Sequence, residues 1–243
     1  MRTEIIYEDN DILVIYKPAG LATQTARVGQ ADVVSELKNY LSASDPKGNG
    51  LKKSPPFVGV IHRLDQPVEG LLVFAKTKQA AANLTAQLQR RVDGEGFNKH
   101  YYAVVCGVPR QEKAVLENFL YKDKDSKAVI VDDANLSNLV DSQNVKKAKL
   151  EYHLRKTVNA VSMVEVLLHT GRFHQIRAQM AQAGNPLLGD QKYGTSASLR
   201  MSAEMGVRNV ALCAYRLEFQ HPRTGKGMDF EIEPKGPIFA LNF

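Results

Sequence analysis

Short apolar blocks separated by polar turns dominate the chain, and most have the length of strands rather than helices. Ile5, Ile6 and Tyr7, then Ile12, Leu13, Val14 and Ile15, flank Glu8-Asp9-Asn10-Asp11. That pattern predicts a β-hairpin with a polar turn. Lys17-Pro18-Ala19-Gly20 ends its second strand, because proline lacks an amide donor and glycine favours turns. Residues 70–75, Gly-Leu-Leu-Val-Phe-Ala, read as a fully buried strand, and 101–105 as another. Residues 150–157 and 161–169 predict a hairpin around Val158-Asn159-Ala160. A last hairpin pairs 212–219 with 228–232 through Pro222-Arg223-Thr224-Gly225.

Three segments carry a helical period instead. Asp32 can cap a helix with Val33, Val34, Leu37, Tyr40 and Leu41 on one face. Thr77 can cap a second, with Ala81, Leu84 and Leu88 inward and Arg90 and Arg91 suiting the C-terminal dipole. Thr170 opens a third, in which Phe173, Ile176 and Met180 face the core and Gly184 ends the helix. Residues 44–56, rich in Pro, Gly, Lys and Ser, read as a basic loop or linker, and 93–96 as a loop. Residues 121–147 are polar except for a short apolar run at 128–131, and no element is assigned there. Hairpins outnumber strand-helix-strand units. The predicted class is therefore α+β, with a mainly antiparallel mixed sheet flanked by helices.

Composition narrows the partners. The 243 residues are 44% hydrophobic and 24% charged, as in an ordinary globular protein, with net charge +6. A positive surplus fits a polyanion, since lysine and arginine displace counterions condensed on nucleic acid. Cys106 and Cys213 are far apart and show no metal-ligand spacing; they read as two reduced, buried thiols of a cytoplasmic protein. The N-terminus has no signal-peptide pattern, and no apolar run reaches the ~18 residues of a membrane span.

Two segments stand out chemically. His62-Arg63-Leu64-Asp65 puts a charged triplet at the mouth of the apolar strand 70–75. A carboxylate there is either solvated or part of a site, because unpaired burial of charge is costly. The second is Thr170-Gly171-Arg172-Phe173-His174-Gln175-Ile176-Arg177. At a helix start, its Arg, His and Gln residues form either an anion clamp or a solvated polar face. Tyr101 and Tyr102 point to opposite sides of their strand, one of them towards the core. Asp65 and Glu69 resemble a glycosidase carboxylate pair, but Pro67 between them excludes a helix that would fix their spacing. No G-x-S-x-G, Walker loop or G-x-G-x-x-G is present, against serine hydrolases, P-loop enzymes and dinucleotide enzymes.

The chain resembles the RluA-type pseudouridine synthases, RNA-modifying enzymes that isomerise uridine in place. The residues carrying the resemblance are His62-Arg63-Leu64-Asp65 with Gly70-Leu71-Leu72-Val73-Phe74-Ala75-Lys76-Thr77; Lys99-His100-Tyr101-Tyr102-Ala103-Val104-Val105-Cys106-Gly107; and the segment 170–177 continued through 184–190 to Tyr193-Gly194. Tyr7-Glu8-Asp9 with 13–20, Ala214-Tyr215-Arg216-Leu217 and His221-Pro222 are similar too, so the likeness runs from about residue 5 to about 235.

The resemblance implies a single pseudouridine synthase catalytic domain over 1–243, acting without metal or organic cofactor on ribosomal or transfer RNA. It implies that Asp65 is the essential catalytic residue, that Tyr101 lines the uracil pocket and that Arg177 pairs with the aspartate. Arg63 would replace the flipped base. His62, Arg172, His174, Gln175 and Ile176 complete the substrate and RNA contacts. No membrane and no obligatory protein partner are expected. The small N-terminal RNA-binding module of many relatives is not expected here, which leaves Lys47, Lys52, Lys53, Lys146, Lys147 and Lys149 as candidates for gripping RNA. The chain departs from the family pattern at Gln66-Pro67-Val68-Glu69, Gln179 and Cys213. The first departure motivates an alternative, a catalytically silent RNA-binding or RNA-folding protein on the same fold.

Overall fold

A computed structural model describes residues 1–27, 29–43, 55–90, 96–131 and 144–241. In chain order its elements are β1 (Glu4–Glu8), β2 (Ile12–Lys17), α1 (Val33–Ala43), β3 (Gly59–Val60), β4 (Glu69–Ala75), α2 (Lys78–Gln89), β5 (Asn98–Cys106), β6 (Lys113–Lys122), β7 (Ala128–Val131), β8 (Lys146–Val158), β9 (Val161–Leu168), α3 (Gln175–Gln182), α4 (Ser196–Glu204), β10 (Leu212–Gln220) and β11 (Gly227–Glu231). The chain divides into two compact units. The first is Met1–Asn98 with Tyr215–Glu233; the second is Lys99–Ala214 with Pro234–Phe243.

In the first unit the strands run in the order β1-β2-β4-β10, with β3 on β4 and β11 on β10. The β1, β3 and β11 pairings and the pairing of β2 with β4 are antiparallel. The polar turn after β1 forms because Asp9 Oδ1 accepts from the amides of Asp11 and Ile12 at 2.8 and 2.9 Å, the local bonding that favours aspartate in turns. Every residue of β2 and β4 is buried, so these strands read as continuous apolar runs rather than alternating ones. Ile12, Val14, Leu71, Val73, Leu84, Phe97, Leu217 and Phe219 share one core. Helix α1 is capped as expected: Asp32 Oδ1 accepts from Ser35 N at 2.7 Å. Helix α2 is capped by Thr77, whose hydroxyl accepts from Ala80 N at 3.1 Å.

The second unit is a five-strand antiparallel series, β5-β9-β8-β6-β7. The predicted hairpin is there, longer at its start, with Asn159 at φ 54 in its turn. Val104, Val161, Leu188, Ala211 and Ile238 form one core, and Leu120, Ala128, Ala148 and Ala178 another.

Three expectations change. The helix predicted from Thr170 begins only at Gln175, and Phe173 is 38% exposed rather than in the core. The residues before it are held by side chains: Gln175 Oε1 accepts from the Thr170 hydroxyl at 2.7 Å and from Arg172 N at 3.0 Å. Residues 121–147 are not uniformly irregular, since β6 ends at Lys122, β7 occupies 128–131 and β8 starts at Lys146. Cys213 is buried and Cys106 only half-buried, and neither forms a disulfide. The basic loop at 44–54, Arg91, most of the 93–96 loop, and residues 132–143 lie outside the described residues. Among the described residues no helix is long and apolar enough to cross a membrane.

Candidate active site

Asp65 sits in a turn fastened to residues 17–23 from several sides. The Thr23 hydroxyl donates to Leu64 O at 2.9 Å and accepts from Leu64 N at 3.2 Å. Gly20 N donates to Gln66 O at 2.7 Å, and Gln66 Nε2 returns a bond to Gly20 O at 3.2 Å. Val68 N donates to Asp65 O at 3.0 Å, closing the turn on itself. Lys17, wholly buried, donates from Nζ to the carbonyls of Leu21, Pro18 and Gln66 at 2.7, 3.0 and 3.3 Å. Burial pushes the Lys17 ammonium down to about 7. The charge of Asp65 opposes the fall, Arg2 adds to it, and Glu69 opposes it again. The Lys17-Pro18-Ala19-Gly20 segment is therefore the seat of the turn as well as the end of a strand.

The unusual residues behind Asp65 have ordinary structural roles. Val68 is buried and Gln66 exposed. Glu69 is buried, and its Oε2 accepts from the Tyr16 hydroxyl at 2.5 Å. Gly70 follows at φ 129, a backbone region that a side chain would strain. Glu69 thus serves Tyr16, which fits poorly with a glycosidase role. His62 lies inside the first unit's core, edge-on to Phe97 at 5.3 Å, and its Nε2 accepts from Val73 N at 3.4 Å. Arg63 is exposed and Asp65 half-buried.

In the second unit Tyr101 is buried and Tyr102 half-buried, so Tyr101 takes the inward position. Arg177 is buried on α3 and forms a two-pronged pair with Asp190: Nε to Oδ2 at 2.7 Å and Nη2 to Oδ1 at 2.8 Å. Its Cζ lies 5.2 Å from the Tyr193 ring centre. Asp190 Oδ1 also accepts from the amides of Lys192 and Tyr193 at 3.0 and 3.2 Å. The preceding Gly189 has φ 73, and a Cβ there would meet Asn209 O at 1.9 Å. The sequence reading missed Asp190 as the carboxylate that holds Arg177; its signal was the Gly-Asp step inside the third motif. Gln179 Nε2 donates to Leu116 O and Asn118 Oδ1 at 3.1 and 2.8 Å, tying α3 to β6.

Of the RNA-contact candidates here, Arg172 is exposed and His174 half-buried, while Gln175 and Ile176 are buried. Lys146 and Lys147 are exposed on β8, and Lys147 pairs with Glu117, holding that carboxyl below its ordinary range. Lys47, Lys52 and Lys53 lie outside the described residues. Among the described residues one group, Asp9, Asp11 and His221, brings potential metal-ligand atoms within 4.8 Å of one another. Hydrogen bonding accounts for it: His221 Nε2 lies 2.7 Å from Asp9 Oδ2, and Arg223 donates to Asp11 at 2.7 Å.

An α+β fold with these ordered motifs defines an enzyme class, and the chain belongs to the RNA pseudouridylate synthase family, whose pattern it matches over residues 11–182. It is 33% identical to "Ribosomal large subunit pseudouridine synthase D" of Zymomonas mobilis over 95% of this chain and 68% of that protein. It is 32% identical to "Uncharacterized RNA pseudouridine synthase YlyB" of Bacillus subtilis over 95% of this chain and 69% of that one. The chain thus spans about two thirds of the length of these relatives. Among solved structures, "Human RNA Pseudouridylate Synthase Domain Containing 1" shares the fold with a TM-score of 0.72 at 18% identity, covering 96% of this chain and 83% of that one. The resemblance to the RluA-type catalytic domain is borne out, and with it an isomerase that acts on RNA.

Proposed function

We propose that this chain isomerises a uridine of large-subunit ribosomal RNA to pseudouridine in the cytoplasm, as a single pseudouridine synthase catalytic domain, with Asp65 as the catalytic carboxylate. The observation that carries the reading is the fastening of the Asp65 turn. Bonds from Gly20, Thr23, Lys17 and Val68 fix the backbone on both sides of one half-buried carboxylate, the preorganisation a catalytic group needs. The ribosomal substrate is supported by relatives named as ribosomal large subunit pseudouridine synthases; transfer RNA is the competing substrate.

The target atoms of a stacked uridine are out of reach, so the nucleotide is extruded at an unstacking cost of a few kcal/mol. Arg63, exposed one residue before Leu64, replaces the flipped base. Arg177, rigidly held by Asp190, supplies a fixed positive charge for the reaction. The glycosidic bond then breaks, uracil turns in the pocket beside Tyr101, C5 bonds to ribose C1′, and the C5 proton leaves. Asp65 either attacks the sugar or removes a ribose proton to give a glycal. Tyr101 relays the C5 proton. The silent RNA-binding alternative rested on the Val68-Glu69 departure, and the packing of Val68 and the Tyr16–Glu69 bond remove that motive.

The test incubates the protein with total RNA and maps pseudouridine by carbodiimide-stop sequencing. Wild type is expected to create a site in large-subunit ribosomal RNA, and Asp65→Asn to bind RNA without creating it. A wild-type protein that adds no site to any RNA overturns the assignment; a site in transfer RNA overturns only the substrate.

A further inference from the structure

The departure of Phe173 from its expected core position leaves a large ring on the surface. Exposed apolar side chains such as Phe57, Val108 and Val115 occur elsewhere in the chain, and exposure alone says little. Phe173 differs in what stands behind it. Its ring is stacked on the His174 imidazole, with centres 3.7 Å apart and planes 21° apart. His174 is itself fixed. Its Nδ1 lies 2.9 Å from the Tyr193 hydroxyl, its ring meets the Tyr193 ring edge-on at 5.6 Å, and that hydroxyl accepts from Ala128 N at 2.6 Å. The backbone at His174 has φ 50, a strained region for a residue with a side chain and one found often at functional sites. The strain places the imidazole behind the phenyl ring.

Cations surround this stack. Lys122 Nζ lies 4.9 Å from the Phe173 ring centre and Lys127 Nζ 5.4 Å from that of Tyr193. Arg172, next in the chain, is exposed and anchored through Nε to Lys147 O at 2.8 Å. Lys122 is exposed, and its long, flexible side chain can leave the ring to meet a phosphate. A rigid aromatic face bordered by lysine and arginine matches what single-stranded RNA presents: a flat base and a flanking phosphate.

We infer that Phe173 is a stacking platform for an unpaired RNA base other than the target uridine, with Lys122 and Arg172 holding the flanking phosphates. The inference rests on the chain acting on RNA. An aromatic platform recognises the π-face common to all bases, so it senses strandedness more than sequence. It would favour a target whose neighbourhood is unpaired over one inside a continuous duplex.

The test uses the full chain and a short single-stranded RNA carrying a fluorescent adenine analogue, with a blunt duplex as the second ligand. Wild type and Phe173→Tyr are expected to quench the analogue on binding. Phe173→Leu keeps an apolar side chain but is expected to lose the quench and about tenfold in single-strand affinity, with duplex affinity unchanged. Lys122→Gln is expected to lower the salt dependence of single-strand binding by about one ion. Retained quenching and affinity in Phe173→Leu overturns the platform, as does an equal loss on the duplex. Pseudouridine mapping with the same variants reads the enzymatic assignment separately: a chain that stacks RNA but never isomerises it fails that assignment and leaves the platform standing.

Discussion

The Asp65 turn and the Arg177 clamp hold their charged groups by opposite means. The turn is fixed mostly through main-chain atoms: Leu64, Gln66, Gly20, Leu21 and Pro18 take part by backbone N–H or C=O groups. The clamp is fixed through a carboxylate and a guanidinium, both buried. A main-chain frame is blind to most side chains passing through it. That is why Gln66-Pro67-Val68-Glu69 can depart from the family pattern while the turn stays fastened. A buried ion pair has no such tolerance, because each partner left alone keeps the full desolvation penalty.

The sharpest break of this contrast is Asp190→Asn. It removes the negative charge that the buried Arg177 guanidinium is paired with through two hydrogen bonds, and a loss of about 3–5 kcal/mol is expected in urea unfolding, together with lost isomerisation. A loss below about 1 kcal/mol would put the clamp in the same tolerant class as the turn. Lys17→Met comes next. It deprives three carbonyls of their buried donor, for an expected loss of about 1–3 kcal/mol. It also carries a pH signature. Wild-type Lys17 releases its proton near 7 when folded and near 10.5 when unfolded. Between these values the unfolded chain binds more protons, so wild-type stability rises with pH across that window relative to the variant. Equal slopes in paired urea titrations from pH 7 to 10 would remove the buried ammonium from the account. The smallest effect belongs to Gln66→Ala. It deletes one exposed side-chain bond but keeps both backbone contacts of residue 66, and within about 0.5 kcal/mol it should be neutral. A large loss there would mean that the turn depends on its side chains after all.

The same contrast explains what could be read from the sequence. The first unit was legible because its signals are local: apolar runs in β2 and β4, and caps at Asp32 and Thr77. The family motifs led to Asp65, Tyr101 and Arg177 directly. The second unit was harder. Strand β6 escaped because its burial alternates between exposed and half-buried positions with few buried ones, leaving no strong apolar period. Helix α4 carries little apolar signal beyond Leu199 and Met201, and its capping box joins Thr195 to Ser198 rather than to the usual Glu or Gln. The start of α3 was misread because Phe173, Ile176 and Met180 keep helical spacing. What stops the helix short is Gln175 bonding back to residues 170–172 and a left-handed His174, contacts invisible to periodicity. Asp190 was missed as the partner of Arg177 because thirteen residues and a glycine turn separate them.

The short bond between Tyr16 and Glu69 has a consequence for how this protein can drift. Both groups are buried and hydrogen-bonded to each other. A substitution at either position alone removes that buried bond and keeps one of its polar groups, which costs more than exchanging both for apolar residues of matching shape. The two positions, 53 residues apart in sequence, therefore behave as one heritable unit. Change at Glu69 is easiest when Tyr16 changes with it, so the residue that looked most foreign to the family pattern is tied to a distant position in the sequence.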